Sequence, residues 1–305
     1  MHPKLRERLL ALCEERVRFA MPLARYTSFR VGGPADALVE VDSAAELQEL
    51  LRTLSEENTP YFLLGGGTNV LVSDKGVRGV VIRLGDGFHY QCWEEVGDEA
   101  WVKVGAARPL GRFVRDAVTK GYSGVEFAEG IPGSVGGGLL MNAGAFGGEL
   151  SRVVKAVSGV QSPGRCRRLP GEAIGFAYRR TMLPDAFIVT EVEFHLPRGL
   201  PDSLAATMQQ AQHKRHATQP HGYPNAGSIF KNPPGAYAGK LIEAAGLKGL
   251  AYGQAQISEQ HANFIVNKGG ATATEVKQLM GHIQQVIWEK HQVCLEPEVR
   301  LVGEW

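Results

Sequence analysis

At 305 residues the chain is long enough for two domains and a large buried core. Hydrophobic content of 44%, charged content of 21% and a net charge of +1 fit a globular protein, and exclude a basic nucleic-acid surface or a cationic membrane-binding face. Cys13, Cys92, Cys166 and Cys294 lie far apart and form no CxxC pair, so no metal site or disulfide framework is expected and a reducing, cytoplasmic setting is. No apolar run approaches transmembrane length, and no membrane insertion is expected.

Residues 3–18 read as a charged helix with Leu5, Leu9 and Leu12 on one side. Tyr26-Thr-Ser-Phe-Arg-Val-Gly-Gly-Pro-Ala-Asp36 leads through a Gly-Pro turn into a strand, Ala37-Leu-Val-Glu-Val41. Ser43-Ala-Ala-Glu46 has the form of a capping box, in which the serine and the glutamate satisfy each other's backbone donors. It opens a helix with Leu47, Leu50, Leu51 and Leu54 on one face. Tyr61–Leu64 and Gly79–Leu84 are further strands, completing a small α/β unit.

Between those strands lies Gly65-Gly-Gly-Thr-Asn69, followed by Val70-Leu-Val72. It is not a dinucleotide fingerprint, because Val70 stands where the third glycine belongs and the β-prone run after it is too short for the required helix. Three consecutive glycines are more than a tight turn needs. They suit a nest of N–H groups around a phosphate, with Thr68 and Asn69 as side-chain donors.

Trp101–Val104 is the next strand. The helix after it places Leu110, Phe113, Val114, Ala117 and Val118 on one face, and Gly121 is its C-terminal cap. The stretch Glu129–Gly148 then holds eight glycines and almost no charge. Such density costs backbone entropy on ordering, and the interspersed Ile, Val, Leu, Met and Phe are those of a packed segment rather than a linker. A backbone without Cβ atoms can approach a flat or phosphorylated ligand closely. Strands at Val153–Val157 and Phe187–Phe194 follow, with Gly175-Phe-Ala-Tyr-Arg-Arg-Thr181 between them and a boundary at Pro197–Pro201.

The last third opens on a polar helix, 202–216, and a turn-rich segment, His221–Gly235. A helix marked by Ala238, Leu241, Ile242 and Ala245 closes on Gly246, and Ala262–Val266 is a strand. Thr272-Ala-Thr-Glu275 is a second capping box, opening a helix that gathers Val276, Leu279, Met280, Ile283, Val286 and Ile287. At the end, alternation places Leu295, Val299 and Leu301 on one face and Glu296, Glu298 and Arg300 on the other.

Six segments in this order closely resemble the UDP-N-acetylenolpyruvoylglucosamine reductase family of flavoenzymes. They are Tyr26–Asp36, Gly65–Ser73, Gly130-Ile-Pro-Gly-Ser-Val-Gly136 with Asn142-Ala-Gly-Ala-Phe146, Ala177-Tyr-Arg179, Gly227-Ser-Ile-Phe-Lys-Asn-Pro233 and Leu295-Glu-Pro-Glu-Val-Arg300. The resemblance runs from about Tyr26 to the C-terminus. The short interval from Tyr178 to Ser228 looks like the shorter, type II form, which lacks an extra tyrosine-bearing loop.

The resemblance implies an α+β fold of the FAD-binding vanillyl-alcohol-oxidase type. Its domains would be an N-terminal helix over 1–24, an FAD-binding domain over 25–198 in two subdomains (25–90 and 91–198) and a C-terminal substrate domain over 199–305. It implies FAD and NADPH as cofactors and a UDP-sugar as substrate, and leaves the oligomeric state open. Gly65, Gly66, Gly67, Thr68 and Asn69 would wrap the pyrophosphate. Gly130, Pro132, Gly133, Ser134, Gly136, Gly137, Asn142, Ala143 and Gly144 would lie along the flavin.

The implied reaction passes a hydride from NADPH to FAD and then to the enolpyruvyl C3. Arg179 would stabilise the substrate carboxylate, for which a guanidinium fork is the matching shape, with Arg180 the rival by residue type. Ser228 would give the proton to C2 with Lys231 nearby, although composition alone makes it a turn residue. Glu298 would assist at the carboxylate, with Glu296 sharing its face and able to pair with Arg300. Tyr178, Tyr223, Lys231 and Asn232 are the expected substrate contacts. His261 is a further cleft candidate, though a lone histidine is more often an ordinary hydrogen-bonded residue. An oxidase or dehydrogenase of a sugar or lactone on the same fold, and a non-catalytic flavin- or nucleotide-binding module, are the alternatives.

Overall fold

The computed structural model describes residues 1–305. Two compact units interleave along the chain. The first comprises Met1–Phe19, Ala37–Gly66 and Gly79–Lys214, and the second Ala20–Asp36, Gly67–Arg78 and Arg215–Trp305.

In the first unit a four-stranded sheet has the order Val17–Pro22, Pro34–Val41, Val77–Leu84, Tyr61–Leu63. The helix Ala44–Glu56 buries Leu47, Leu50, Leu51 and Leu54 as its spacing predicts. Only half of the Ser43 capping box forms. The Ser43 hydroxyl accepts the Glu46 N–H at 3.1 Å, while the Glu46 carboxylate accepts from the Asp42 N–H and from Arg16. Arg16 holds the Glu46 carboxyl below the usual carboxylate range.

The N-terminal helix ends at Cys13 instead of running to 18. Glu14 takes a left-handed φ of 48° and its N–H closes on Leu10. From Val17 the side chains follow a period of two and join the sheet edge, which overrides the charged helical pattern.

The second sheet of this unit is antiparallel throughout, in the order Arg165–Pro170, Val154–Gln161, Phe187–Pro197, Glu99–Gly105, Gln91–Val96. The helix Leu110–Thr119 buries Leu110, Phe113, Val114 and Ala117, and Phe113 meets Phe194 with ring centroids 4.6 Å apart. Val135–Leu140 is a short helix that the glycine-rich composition hides, since each glycine disfavours a helix by about 1 kcal/mol. Ser134 caps it by accepting the Gly137 N–H at 3.2 Å, and buried Val135 and Leu139, one turn apart, fasten it to the core.

In the second unit the strands Ala251–Tyr252, Ala255–Ile257 and Ile265–Asn267 form an antiparallel sheet. The helix Ala273–His291 starts on a complete capping box and buries Val276, Leu279, Met280, Ile283 and Ile287. Phe29, Val31 and Leu71 join this core, and Val70–Val72 pairs in parallel with Arg300–Val302. The alternation expected at the C-terminus slips: Leu295 and Val299 are buried, but Leu301 is 39% exposed and Val302 takes the inner place. The regular strand begins only at Arg300, after Pro297, which has no N–H to donate. No helix is long and apolar enough to cross a membrane, and no group of three or more His, Cys, Asp or Glu is placed to hold a metal ion.

Candidate active site

In the first unit two glycine loops meet. A Cβ on Gly66 would lie 2.9 Å from the Gly133 Cα and 3.5 Å from the Ser134 nitrogen, so the backbones touch where only glycine fits. Gly133 has a φ of +112°, which glycine adopts without strain. The N–H groups of Gly65, Gly66, Gly133 and Ser134 donate to no acceptor in the protein. Four undonated N–H groups on two touching loops are donors available to an anion such as a pyrophosphate.

Other residues of the stretch are bonded into the fold. Gly136 donates to the Ala106 carbonyl at 2.9 Å, Gly137 donates to Ser134, and Ala143 donates to the Gly138 carbonyl at 2.8 Å. Asn142 is 2% exposed, and its amide bridges the Ala177 carbonyl and the Ser151 N–H at 3.2 and 3.0 Å. Pro132 is exposed and has no N–H to offer.

Arg179 stands at the tip of a hairpin, Gly175–Ala177 with Arg180–Met182, whose two-residue loop is Tyr178-Arg179. Its own φ is 56°, an uncommon conformation for a residue with a side chain. The guanidinium lies against Gly144, where an added Cβ would be 3.3 Å from Nη1. Arg179 is half-buried, whereas its rival Arg180 is exposed. Tyr178 is exposed, with the Arg179 guanidinium carbon 5.3 Å from its ring centroid.

The second unit holds Gly67, Thr68, Asn69, Ser228 and Glu298. Gly67 presses on the Tyr26–Thr27 backbone, and its carbonyl accepts the Ser28 N–H at 2.9 Å. Asn69 is tied to the last strand, because Nδ2 donates to the Glu298 carbonyl at 3.1 Å and its own carbonyl accepts the Arg300 N–H at 3.0 Å.

Ser228 follows a turn built by Asn225, whose side chain accepts the Gly227 N–H at 3.0 Å. The next residues run antiparallel to 296–299, with Glu298 donating to the Ile229 carbonyl at 2.8 Å and Lys231 to the Glu296 carbonyl at 2.9 Å. Glu298 therefore lies across from Ile229, one residue from Ser228. The Ser228 hydroxyl makes no hydrogen bond within the protein, although the N–H groups of its chain neighbours Gly227 and Ile229 are bonded and Ile229 and Phe230 are buried. A turn serine would hydrogen-bond its own backbone.

Asn263 fixes this strip. Its buried amide accepts the Phe230 N–H at 3.0 Å and donates to the Phe230 carbonyl at 2.8 Å, in place of a neighbouring strand. Nothing in the sequence singles it out. Asn263→Ala would leave two buried backbone groups unmatched, at about 1–3 kcal/mol each. A loss of about 2–6 kcal/mol is expected in urea unfolding.

Other expected contacts have protein partners. Glu296 pairs with Lys231. Asn232 accepts the Ala238 N–H at 3.0 Å, at the start of a helix. Tyr223 is exposed beneath the Lys268 ammonium, 3.8 Å from its ring centroid. His261 accepts the Asn263 N–H on Nδ1 and packs edge-on to Phe264, and burial lowers its pKa.

The chain is 49% identical to UDP-N-acetylenolpyruvoylglucosamine reductase 2 of Symbiobacterium thermophilum, over 97% of this chain and 96% of that one. This sequence belongs to the UDP-N-acetylenolpyruvoylglucosamine reductase family. It is also 41% identical to the reductase of Anoxybacillus flavithermus, over 98% of this chain and 99% of that protein. A family model for the reductase C-terminal domain matches residues 219–302, and one for an FAD-binding domain matches 35–169. The crystal structure of the Thermus caldophilus reductase superimposes with a TM-score of 0.80 at 37% identity, covering 93% of this chain and 98% of that one.

Membership in the reductase family makes this an FAD-containing oxidoreductase with the expected α+β FAD-binding fold. The cradle of undonated N–H groups fits the cofactor.

Proposed function

We propose that this chain reduces UDP-N-acetylglucosamine enolpyruvate to UDP-N-acetylmuramate, with NADPH as electron source, as a cytoplasmic step of peptidoglycan precursor synthesis. The family supports the reaction. The observation that carries the chemistry is the Ser228 hydroxyl, which has no protein partner and stands one residue from the Glu298 strand position.

Bound FAD supplies a two-electron carrier that accepts a hydride from the nicotinamide and returns it to the substrate. The residues have to do the rest. Gly65, Gly66, Gly133 and Ser134 offer N–H donors to the cofactor pyrophosphate, and the glycine stretch lets backbone approach the flavin. Gly67, Thr68 and Asn69 continue the same loop.

Addition of hydride at C3 develops negative charge on the enolpyruvyl carboxylate, and Arg179 meets it with a bidentate fork. Ser228 delivers the proton to C2, so that hydride and proton together saturate the double bond and NADP is released. Glu298 assists on the carboxylate side. Tyr178, Tyr223, Lys231 and Asn232 are the substrate contacts. Their charges and rings suit a sugar diphosphate, and the Lys231–Glu296 pair is exposed enough to open to it.

The deciding experiment is anaerobic NADPH oxidation by the FAD-loaded protein, with and without UDP-N-acetylglucosamine enolpyruvate. Sustained turnover that requires the enolpyruvyl substrate is expected. A flavin that NADPH bleaches but this substrate fails to reoxidise anaerobically would remove the substrate assignment and favour an oxidase.

A further inference from the structure

We propose that Asn142 and Thr181 are positioning residues that hold the Arg179 hairpin in register with the glycine-rich helix. The inference rests on the role given to Arg179 above. The hairpin 175–182 is short, and its tip residue adopts an uncommon left-handed φ of 56°. A two-stranded ribbon of this length is marginal alone, so its geometry comes from what it is fastened to.

Two fasteners are present, one on each strand. The Asn142 Nδ2 donates to the Ala177 carbonyl at 3.2 Å, and the Thr181 hydroxyl donates to the Leu139 carbonyl at 2.5 Å. Both reach the chain that ends the Val135–Leu140 helix, close to the Gly144 backbone on which the guanidinium lies. Asn142 also receives the Ser151 N–H at 3.0 Å, so one amide locks the hairpin, the helix end and the following turn together. Its φ of 39° is a conformation that asparagine tolerates better than most residues.

Asn142→Asp keeps the shape, the tolerated φ and the acceptor for Ser151, but it cannot donate to Ala177 and sets an oxygen against that carbonyl. Thr181→Val is isosteric and loses only the hydroxyl. In stopped-flow, reoxidation of the reduced holoenzyme by the enolpyruvyl substrate is expected to slow about 10- to 100-fold in Asn142→Asp, since misplacement by about 1 Å can cost that much. Reduction by NADPH is expected to stay within about twofold, because the role proposed for Arg179 is at the substrate carboxylate. Amides of residues 175–182 are expected to exchange faster with deuterium, a readout independent of turnover.

Arg179→Ala is the reference. Adding Asn142→Asp to it is expected to slow reoxidation no further, because a residue that acts only through Arg179 has nothing left to position. Equal slowing of both half-reactions, or full additivity on Arg179→Ala, overturns the inference. Should Asn142→Asp fail to fold or to keep FAD, Thr181→Val carries the same comparison, and unchanged reoxidation there overturns it. If Arg179→Ala reoxidises normally, the role of Arg179 fails and this inference with it. If Arg179→Ala is slow while Asn142→Asp and Thr181→Val are normal, only the positioning is wrong.

Discussion

Gly66→Ala is expected to release most of the flavin while the two sheets of its unit stay folded. The added Cβ would sit 2.9 Å from the Gly133 Cα and 3.4 Å from its carbonyl carbon. Those are backbone atoms, not the tip of a side chain that can swing away, and Gly133 is itself held in a left-handed region by the Leu110 N–H bond to its carbonyl. One loop must therefore retreat, and the N–H groups of Gly65, Gly66, Gly133 and Ser134 are moved apart. Hydrogen bonds to a charged group contribute about 1.5–3 kcal/mol each, so misaiming one or two weakens FAD binding by about 10- to 10⁴-fold. Flavin absorbance per protein after desalting, and a flavin titration of the apoprotein, measure this directly. A dissociation constant equal to the wild type would show that these loops do not carry the pyrophosphate.

The sequence is most informative where one local rule decides. Leu47, Leu50, Leu51 and Leu54 fall inside because a helix repeats every 3.6 residues, and Thr272 with Glu275 closes a box because both orphan donors lie within one turn. It is less informative where distant segments decide. The motif segments over residues 20–36 and 67–78 read as part of the first α/β block. Phe29, Val31 and Leu71 nevertheless pack with the C-terminal third, and Asn69 hydrogen-bonds the Glu298 carbonyl. The three consecutive blocks proposed as domains contrast with compact units that interleave, because core membership follows tertiary packing.

The same division runs through the site. Arg179, Ser228 and Glu298 are proposed from motif, and the Gly65–Gly66 cradle from glycine density. The residues that hold them are not. Asn142 sits in a motif that suggests a cofactor contact, yet both ends of its amide are engaged with the chain. Asn263 belongs to no pattern at all, and its work is to replace a missing strand beside Phe230. Polar side chains that satisfy backbone at long sequence separation leave no periodic trace.

Ser228→Ala is expected to slow reoxidation of the reduced holoenzyme by the enolpyruvyl substrate by about 10²- to 10⁴-fold, the range of a lost general acid. Reduction by NADPH and flavin content should match the wild type, because the substitution removes one hydroxyl that bonds to nothing in the protein and leaves the Asn225 turn and the Ile229–Glu298 pairing intact. That absence of a structural bond separates the two readings of this serine. A turn serine would cost stability when removed, and this one should cost little in urea unfolding while costing much in the oxidative half-reaction. A serine is a weak acid, so its developing alkoxide needs positive potential nearby. Lys231 is the cation in the same strip, and it is held in register opposite Glu296. Glu296→Gln removes the opposing charge and is expected to leave proton delivery at least as fast, whereas Ser228→Cys, which keeps a transferable proton, should recover part of the rate lost in Ser228→Ala. Reoxidation of Ser228→Ala within about twofold of wild type would move the proton source to another group, with Glu298 the nearest carboxylate on the adjoining strand.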